Sequence, residues 1–279
     1  MRERVQRFEV RQVMKRQNFE VFHYNQMTPA EVTVHHHDFY EVFFFLGGNV
    51  SYRAEGQIYH LKPGDVLLIN PMVLHQPIIA SDSPDYERII LWIDKDYLSR
   101  FGEGAISRCF GEERVRLLHL SPSVQRAELT ELLGKLVREC YGGEYGSGLY
   151  AEGLFLQIMA ELNRLALKAR PAEREASTLV TELLTYINEH YSESLSLEGL
   201  AKRFFISKYH LSHEFSRAVG TGVYRYIMLR RLTAAKQLLS DGAAPGEVYS
   251  QCGFQDYTSF FRAFKAEYGV SPRSFAEGH

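Results

Sequence analysis

The sequence predicts a two-domain α+β protein. An N-terminal β-barrel or sandwich with a helical hairpin precedes an all-α domain built from two helix-turn-helix units. Three observations carry this. Short runs rich in β-branched and aromatic residues, broken by turn signals, fill roughly the first 120 of the 279 residues. Apolar spacing becomes helical near Arg126. From Thr178 onward, helix patterns open on Ser or Asp caps and close on glycines, twice in helix-turn-helix order.

Strands are expected at Val32–Thr33–Val34, Tyr40 to Leu46, Val50 to Ala54, Gln57 to Leu61, Val66 to Asn70 and Ile89 to Ile93. Turn signals separate them at Gly47–Gly48, Glu55–Gly56, Pro63–Gly64–Asp65 and Ser81 to Pro84. Many short strands at such spacing suggest a sandwich or small barrel. Leu129, Leu132, Leu133, Leu136 and Val137 then recur at helical intervals. After the Gly142 to Gly148 turn, Leu154, Phe155, Ile158, Leu162 and Leu165 do the same. The two helices make a hairpin whose apolar face must be buried. A second copy could cover it, which gives the expectation of a homodimer, or the β domain could. The polar stretch around Pro171 reads as a linker. The domains therefore run 1–120 (β), 121–170 (hairpin), 171–177 (linker) and 178–279 (helical).

In the helical part Val180, Leu183, Leu184 and Ile187 form one stripe. Ser196 caps a helix with Leu197, Leu200 and Ala201, and Ser207 caps one with Leu211 and Phe215 that Gly220 ends. A long helix follows, with Tyr226, Ile227, Leu232, Ala235, Leu238 and Leu239 inside. The stretch GFQDYTSFFRAFKAEYGVSP, Gly253 to Pro272, is the most telling. Asp256 caps a helix with Phe260, Phe261 and Phe264 on one side and Arg262 and Lys265 on the other, and Gly269 and Pro272 stop it. An amphipathic helix with a basic outer face, entered through a glycine turn, suits a DNA groove.

The net charge of −2 opposes that reading until charge is examined locally. Between Leu200 and Lys236 eight basic residues face one acid, Glu214, leaving a local charge of +7. The densest apolar run, Val42 to Leu46, is far short of a membrane span, and MRERVQRFEV lacks a signal-peptide core. Cys109, Cys140 and Cys252 are odd in number and widely spaced, which argues against a disulfide framework or a CxxC metal site. A cytoplasmic protein without membrane contact is expected.

With these motifs in place, residues 178 to 275 resemble the AraC/XylS family of transcription regulators. The first unit, LSLEGLAKRFFISKYHLSHEFSRAVG, runs from Leu195 to Gly220. The connecting helix supplies Tyr226–Ile227, Arg231–Leu232, Ala235 and Leu238–Leu239, and Gly253 to Pro272 completes the second unit. The resemblance implies DNA contacts from Ser207, Lys208, Tyr209, Ser212, His213 and Arg217 in the first unit, and from Asp256, Thr258, Ser259, Arg262 and Lys265 in the second. It implies docking on successive major-groove faces of double-stranded DNA, and RNA polymerase as a partner if the protein activates. Arg262 is the residue best suited to guanine, since its fork can donate to O6 and N7 together. One departure is Tyr249, where the family has a small Ala; it would open the angle between helices or turn outward.

In the β domain, HHHDFYEVFFFLGG places His35, His37, Glu41 and Gly48 in the spacing of the first cupin motif, and PGDVLLINPMVLHQP, with His75, resembles the second. The second is irregular: the usual Gly between Pro71 and His75 is missing, with Val73 nearby instead. The resemblance implies a cupin-like barrel. His35, His37, Glu41 and His75 could hold a divalent metal there, or could pack and hydrogen-bond without one. No cofactor is required. The barrel also suits a small-molecule effector, with Phe39, Phe43, Phe45, Tyr52 and Trp92 as walls and His37, Glu41 and Arg53 fixing its orientation. A sugar or sugar derivative fits by family resemblance. The competing reading is a metal-dependent cupin enzyme fused to a DNA-binding module.

Overall fold

From the N-terminus the chain forms β1 (Phe19–Gln26), β2 (Tyr40–Gly47), β3 (Val50–Ala54), β4 (Gln57–His60), β5 (Val66–Ile69), β6 (His75–Ile79) and β7 (Tyr86–Ile93). A short α1 (Lys95–Ser99) and β8 (Val115–Leu118) follow, then α2 (Val124–Gly142), α3 (Ser147–Lys168) and β9 (Glu175–Ala176). The computed structural model describes residues 13–26, 32–81, 83, 86–102, 106–111, 114–120, 124–169, 175–176 and 178–277. Two units divide between Glu175 and Ala176. Of the expected linker, residues 171–174 and 177 lie outside the described residues, as do parts of the 81–84 turn.

Side-chain alternation on β2 sets the layering of the first unit. One antiparallel sheet has the order β1-β7-β2-β5-β8 and the other β6-β3-β4-β9. Phe43 and Phe45 point between the sheets, where they join Tyr24, Tyr52, Leu67, Ile69, Tyr86 and Trp92. Val42 and Phe44 point the other way, with Val66, Leu68, Ile89, Leu91 and Ile93, into a core shared with α2 and α3. A strand buried on both faces reads as a continuous apolar run, as EVFFFL does. The described strands pair as two sheets, and no closed barrel is drawn by their order.

Four strands, β1, β6, β8 and β9, were not expected: the first three carry no clear alternation in the sequence, and β9 lies in the stretch read as linker. The strand expected at Val32–Val34 is absent: those residues are irregular, and only His35 forms an isolated bridge, with His75. The hairpin requires a larger correction. Leu129, Leu133, Leu136, Val137, Leu154, Phe155, Ile158 and Leu162 are all buried within the unit, against the outer face of the five-stranded sheet. Phe155 stacks on Phe19 with centroids 4.7 Å apart. The face on which dimerisation was predicted is thus already covered by the protomer's own sheet. What α3 leaves exposed is a different stripe: Leu149, Gly153, Leu156, Ala160 and Leu167.

The second unit comprises α4 (Thr178–His190), α5 (Leu197–Arg203), α6 (Lys208–Val219), α7 (Val223–Ser240), α8 (Pro245–Gln251), α9 (Tyr257–Tyr268) and α10 (Pro272–Glu277). The caps act where the sequence placed them. Ser196 Oγ accepts from Gly199 N at 3.0 Å, Ser207 Oγ from His210 N at 3.1 Å, and Asp256 Oδ1 from Ser259 N at 2.8 Å. Each cap satisfies an amide that the first helical turn cannot, worth about 1 kcal/mol. Helix α6 packs against α4, α5 and α7, while α8, α9 and α10 close around the far half of α7.

Candidate functional site

Two sites take shape, one in each unit. In the first, the isolated bridge supplies what the sequence could not. His35 N donates to His75 O at 3.1 Å and His75 N to His35 O at 2.9 Å, holding two imidazoles with ring centroids 4.4 Å apart. His37 lies beside them, stacked on Phe39 at 4.0 Å and 4.8 Å from the His75 ring.

Each of these rings is fixed from behind. Nδ1 of His35, His37 and His75 lies 2.8–2.9 Å from the carbonyl oxygens of Thr33, Phe39 and Val73 respectively. A carbonyl only accepts, so Nδ1 carries the proton; this leaves Nε2 as an acceptor in His35 and His75, whereas in His37 it faces the Glu41 carboxylate and carries a proton as well. His75 Nε2 is buried without a hydrogen-bond partner among the described residues. His37 Nε2 lies 3.2 Å from Glu41 Oε2, which also accepts from Trp92 Nε1 at 2.9 Å, and Tyr52 OH reaches Glu41 Oε1 at 3.4 Å. Burial alone would raise the Glu41 carboxyl, but the His37 hydrogen bond and charge outweigh it and hold it at about 2. Burial, with the neighbouring His35 and His37, pushes His75 well below the ordinary imidazole value and leaves it a neutral acceptor.

His37, Glu41 and His75 bring one ligand atom each to within 4.8 Å of one another. Two imidazole nitrogens and a carboxylate, with backbone carbonyls orienting the rings, are a donor set that a divalent transition metal accepts. The orphaned His75 Nε2 fits that use. His35, the fourth expected ligand, stands next to His75 but outside the group.

The expected effector residues mostly converge. Phe39, Phe43, Tyr52 and Trp92 lie between the sheets around Glu41. Arg53 does not. It alternates with inward-facing Tyr52 and Ala54, so its guanidinium lies outside, donating to Gln76 Oε1 at 3.0 Å. The residue missed was Arg88. It is buried, with its guanidinium 4.0 Å from the centre of the Tyr86 ring and 4.9 Å from that of Tyr24. Its parity with Trp92 on β7 was the available signal.

In the second unit, α6 and α9 are the second helices of two helix-turn-helix units. On α6 the exposed residues are Lys208, Tyr209, His210, His213 and Arg217, with Ser207 at its start and Ser212 half-buried. The Tyr209 and His213 rings lie nearly parallel, 6.2 Å apart. On α9 Thr258, Ser259, Arg262 and Lys265 are exposed. Asp256 and Ser259 are engaged with each other: besides the backbone cap, Ser259 Oγ donates to Asp256 Oδ2 at 2.8 Å. Tyr249 stays half-buried against the core of this half, its ring edge-on to Tyr257 at 6.0 Å.

The local charge of +7 overstates the cations free for a partner. Arg225 pairs with Glu267 at 2.6 Å and Lys202 with Glu198 at 3.3 Å. Arg231 donates to the carbonyls of Tyr191 and Glu193, both at 2.7 Å, and Arg203 lies over the Tyr186 ring at 4.1 Å.

Both units match known proteins. Residues 18–184 match the family model described as an AraC-like ligand binding domain, and residues 200–278 match a helix-turn-helix domain. The HTH-type transcriptional regulator YbfI of Bacillus subtilis is 31% identical over 229 residues, covering 80% of this chain and 78% of that protein. The HTH-type transcriptional activator RhaS of Escherichia fergusonii is 26% identical over 255 residues, covering 88% and 87%. Among solved structures, the C-terminal domain of AraT, a response regulator from Geobacillus stearothermophilus, is 28% identical, covers 37% of this chain and 87% of that one, and gives a TM-score of 0.36. No helix among the described residues is long and apolar enough to cross a membrane. The chain belongs to the AraC family and is a DNA-binding transcription regulator with an N-terminal ligand-binding domain, not an enzyme.

Proposed function

We propose that this regulator is switched by a small polar effector held between the two sheets, around Glu41. The buried His37–Glu41–Trp92 group carries the reading. A charged carboxylate ringed by Phe39, Phe43, Tyr52 and Trp92 offers hydrogen bonds beside aromatic faces, which suits a sugar or sugar derivative. The effector shifts the regulator between states only through its different affinity for them. A second reading concerns the same atoms. The orphaned Nε2 of His75 favours a divalent metal on His37, Glu41 and His75, which would supply positive charge to orient an oxygen-bearing ligand.

DNA recognition falls to the exposed faces of α6 and α9, with Lys208 and Lys265 on phosphate and Tyr209, Ser212, His213, Thr258 and Arg262 toward base edges. Two copies would pair through the outer stripe of α3. Leu149, Gly153, Leu156, Ala160 and Leu167 recur at alternating four- and three-residue steps, with Asn163 filling the one gap, the spacing of a two-helix seam. Activation, with RNA polymerase as partner in the cytoplasm, follows the relatives whose names describe activators.

The test is a thermal-shift screen against sugars, sugar acids and divalent metals, read through Trp92, the only tryptophan. A ligand at about 100 times its Kd should add about 2.7 kcal/mol. A sugar that shifts the transition and alters DNA binding supports the first reading. A response to metals alone supports the second, and no response to either refutes both.

A further inference from the structure

Glu214 is the one acid between Leu200 and Lys236, and it sits on α6, where negative charge works against binding a phosphate backbone. Both of its oxygens are committed. Oε2 accepts from Arg217 Nη2, and Oε1 lies 3.1 Å from His213 Nδ1. The Arg217 bond first, and the His213 bond second, hold the carboxyl below its ordinary range, so it is ionised and can only accept. The proton between them therefore belongs to His213 Nδ1. In the neutral ring this leaves Nε2 as a bare acceptor at the far side of the imidazole. The His213 side chain is 59% exposed, on the same face as Tyr209 and Arg217.

We propose that Glu214 is a positioning residue that sets base specificity: it locks His213 in the Nδ1–H tautomer, so that α6 presents an acceptor to the major groove. That acceptor selects adenine or cytosine on the contacted strand, whose N6 and N4 amino groups donate. Against guanine or thymine it would face O6, N7 or O4, lone pair to lone pair. The acid thus serves recognition by fixing a neighbour and makes no base contact of its own. The proposal rests on α6 lying in the groove, and its test separates the two.

Binding sites are selected from a random-sequence duplex pool with the full-length chain and with its His213→Ala, Glu214→Ala and Glu214→Gln variants. The wild type should favour adenine or cytosine about fivefold at one position, as a single hydrogen bond allows. His213→Ala and Glu214→Ala should both flatten that position and spare the others, whereas Glu214→Gln, whose amide oxygen still accepts from Nδ1–H, should keep it. Flattening by His213→Ala without flattening by Glu214→Ala overturns the role of Glu214. If His213→Ala changes no position, the groove placement fails and the proposal with it. Nitrogen-15 shifts of the His213 ring decide independently of the variants' folding: an Nε2–H tautomer in the wild type overturns the proposal, and an Nδ1–H tautomer supports it.

Discussion

Replacing Gly253 with alanine should destabilise the helix-turn-helix unit by about 2–5 kcal/mol. Gly253 has φ +81°, where a side chain costs an L residue about 1–2 kcal/mol. A Cβ there would also lie 2.5 Å from Ser192 O and 2.8 Å from Ser192 C and Cα. Those are backbone atoms between α4 and α5, which cannot rotate aside, so a helix must shift, at about 1–3 kcal/mol. Gly269 is the matched control. Its φ is +75°, and an added Cβ there meets nothing within 4 Å among the described residues, so Gly269→Ala carries the conformational term alone. Far-UV circular dichroism follows the melting of the helical unit, while Trp92 fluorescence follows the sheets. For a unit of this size each kcal/mol moves Tm by about 4–8 °C, so Gly253→Ala should lose about 10 °C or more and Gly269→Ala about half as much. Equal shifts in the two variants would show that the approach to Ser192 is not tight, and the packing account of this glycine would be refuted.

Other consequences can be tested alongside. Arg262→Ala should flatten one or two positions of the selected DNA site, at about 1–3 kcal/mol, and unchanged base preference would refute the groove placement of α9. Asp256→Ala should lower the Tm of the helical unit through the lost cap, with Asp256→Asn close to neutral. The Ser259 backbone bond lowers the Asp256 carboxyl below its ordinary 3.8, so the charged cap's contribution is present above that value and fades as the pH falls below it. An acid titration identical in wild type and Asp256→Asn would contradict this. Leu156→Arg, on the exposed face of α3, should leave the fold intact and convert a dimer to monomer in sedimentation, whereas an unchanged mass would move the seam elsewhere. Met72 occupies the left-handed region at φ +64° in the loop that the cupin motif gives to glycine, and its amide donates to His37 O at 2.7 Å. Met72→Gly should therefore be neutral or stabilising, where glycine at an ordinary position costs about 0.5–1 kcal/mol.

The helical unit was the more legible half. Its helices begin at Ser196, Ser207 and Asp256 and close at Gly220 and Gly269, because capping is a local contest between a side chain and the nearest free amides. Local chemistry of this kind needs no knowledge of the rest of the fold. Alternation likewise placed Phe43 and Phe45 with Glu41 and, had it been followed along β7, would have placed Arg88 with Trp92. Charge was legible only as a count. Arg225 and Arg231 proved to be tied to Glu267 and to backbone carbonyls 38 to 42 residues away, and such pairings depend on which helices come to lie together.

By itself, then, the sequence determined the two helix-turn-helix units, their caps and their family, since each rests on spacings within about twenty residues. Only the tertiary structure decided which face of the hairpin is free. An apolar stripe declares that it must be buried, but a sheet and a second subunit satisfy that demand equally, and here the sheet took it. Tertiary structure also decided the site around Glu41. His35 and His75 meet through a bridge across 40 residues of chain, and Trp92 arrives from a strand 51 residues beyond Glu41. Such approaches are set by strand pairing, whose register depends on packing from both sides and is not written in any single segment.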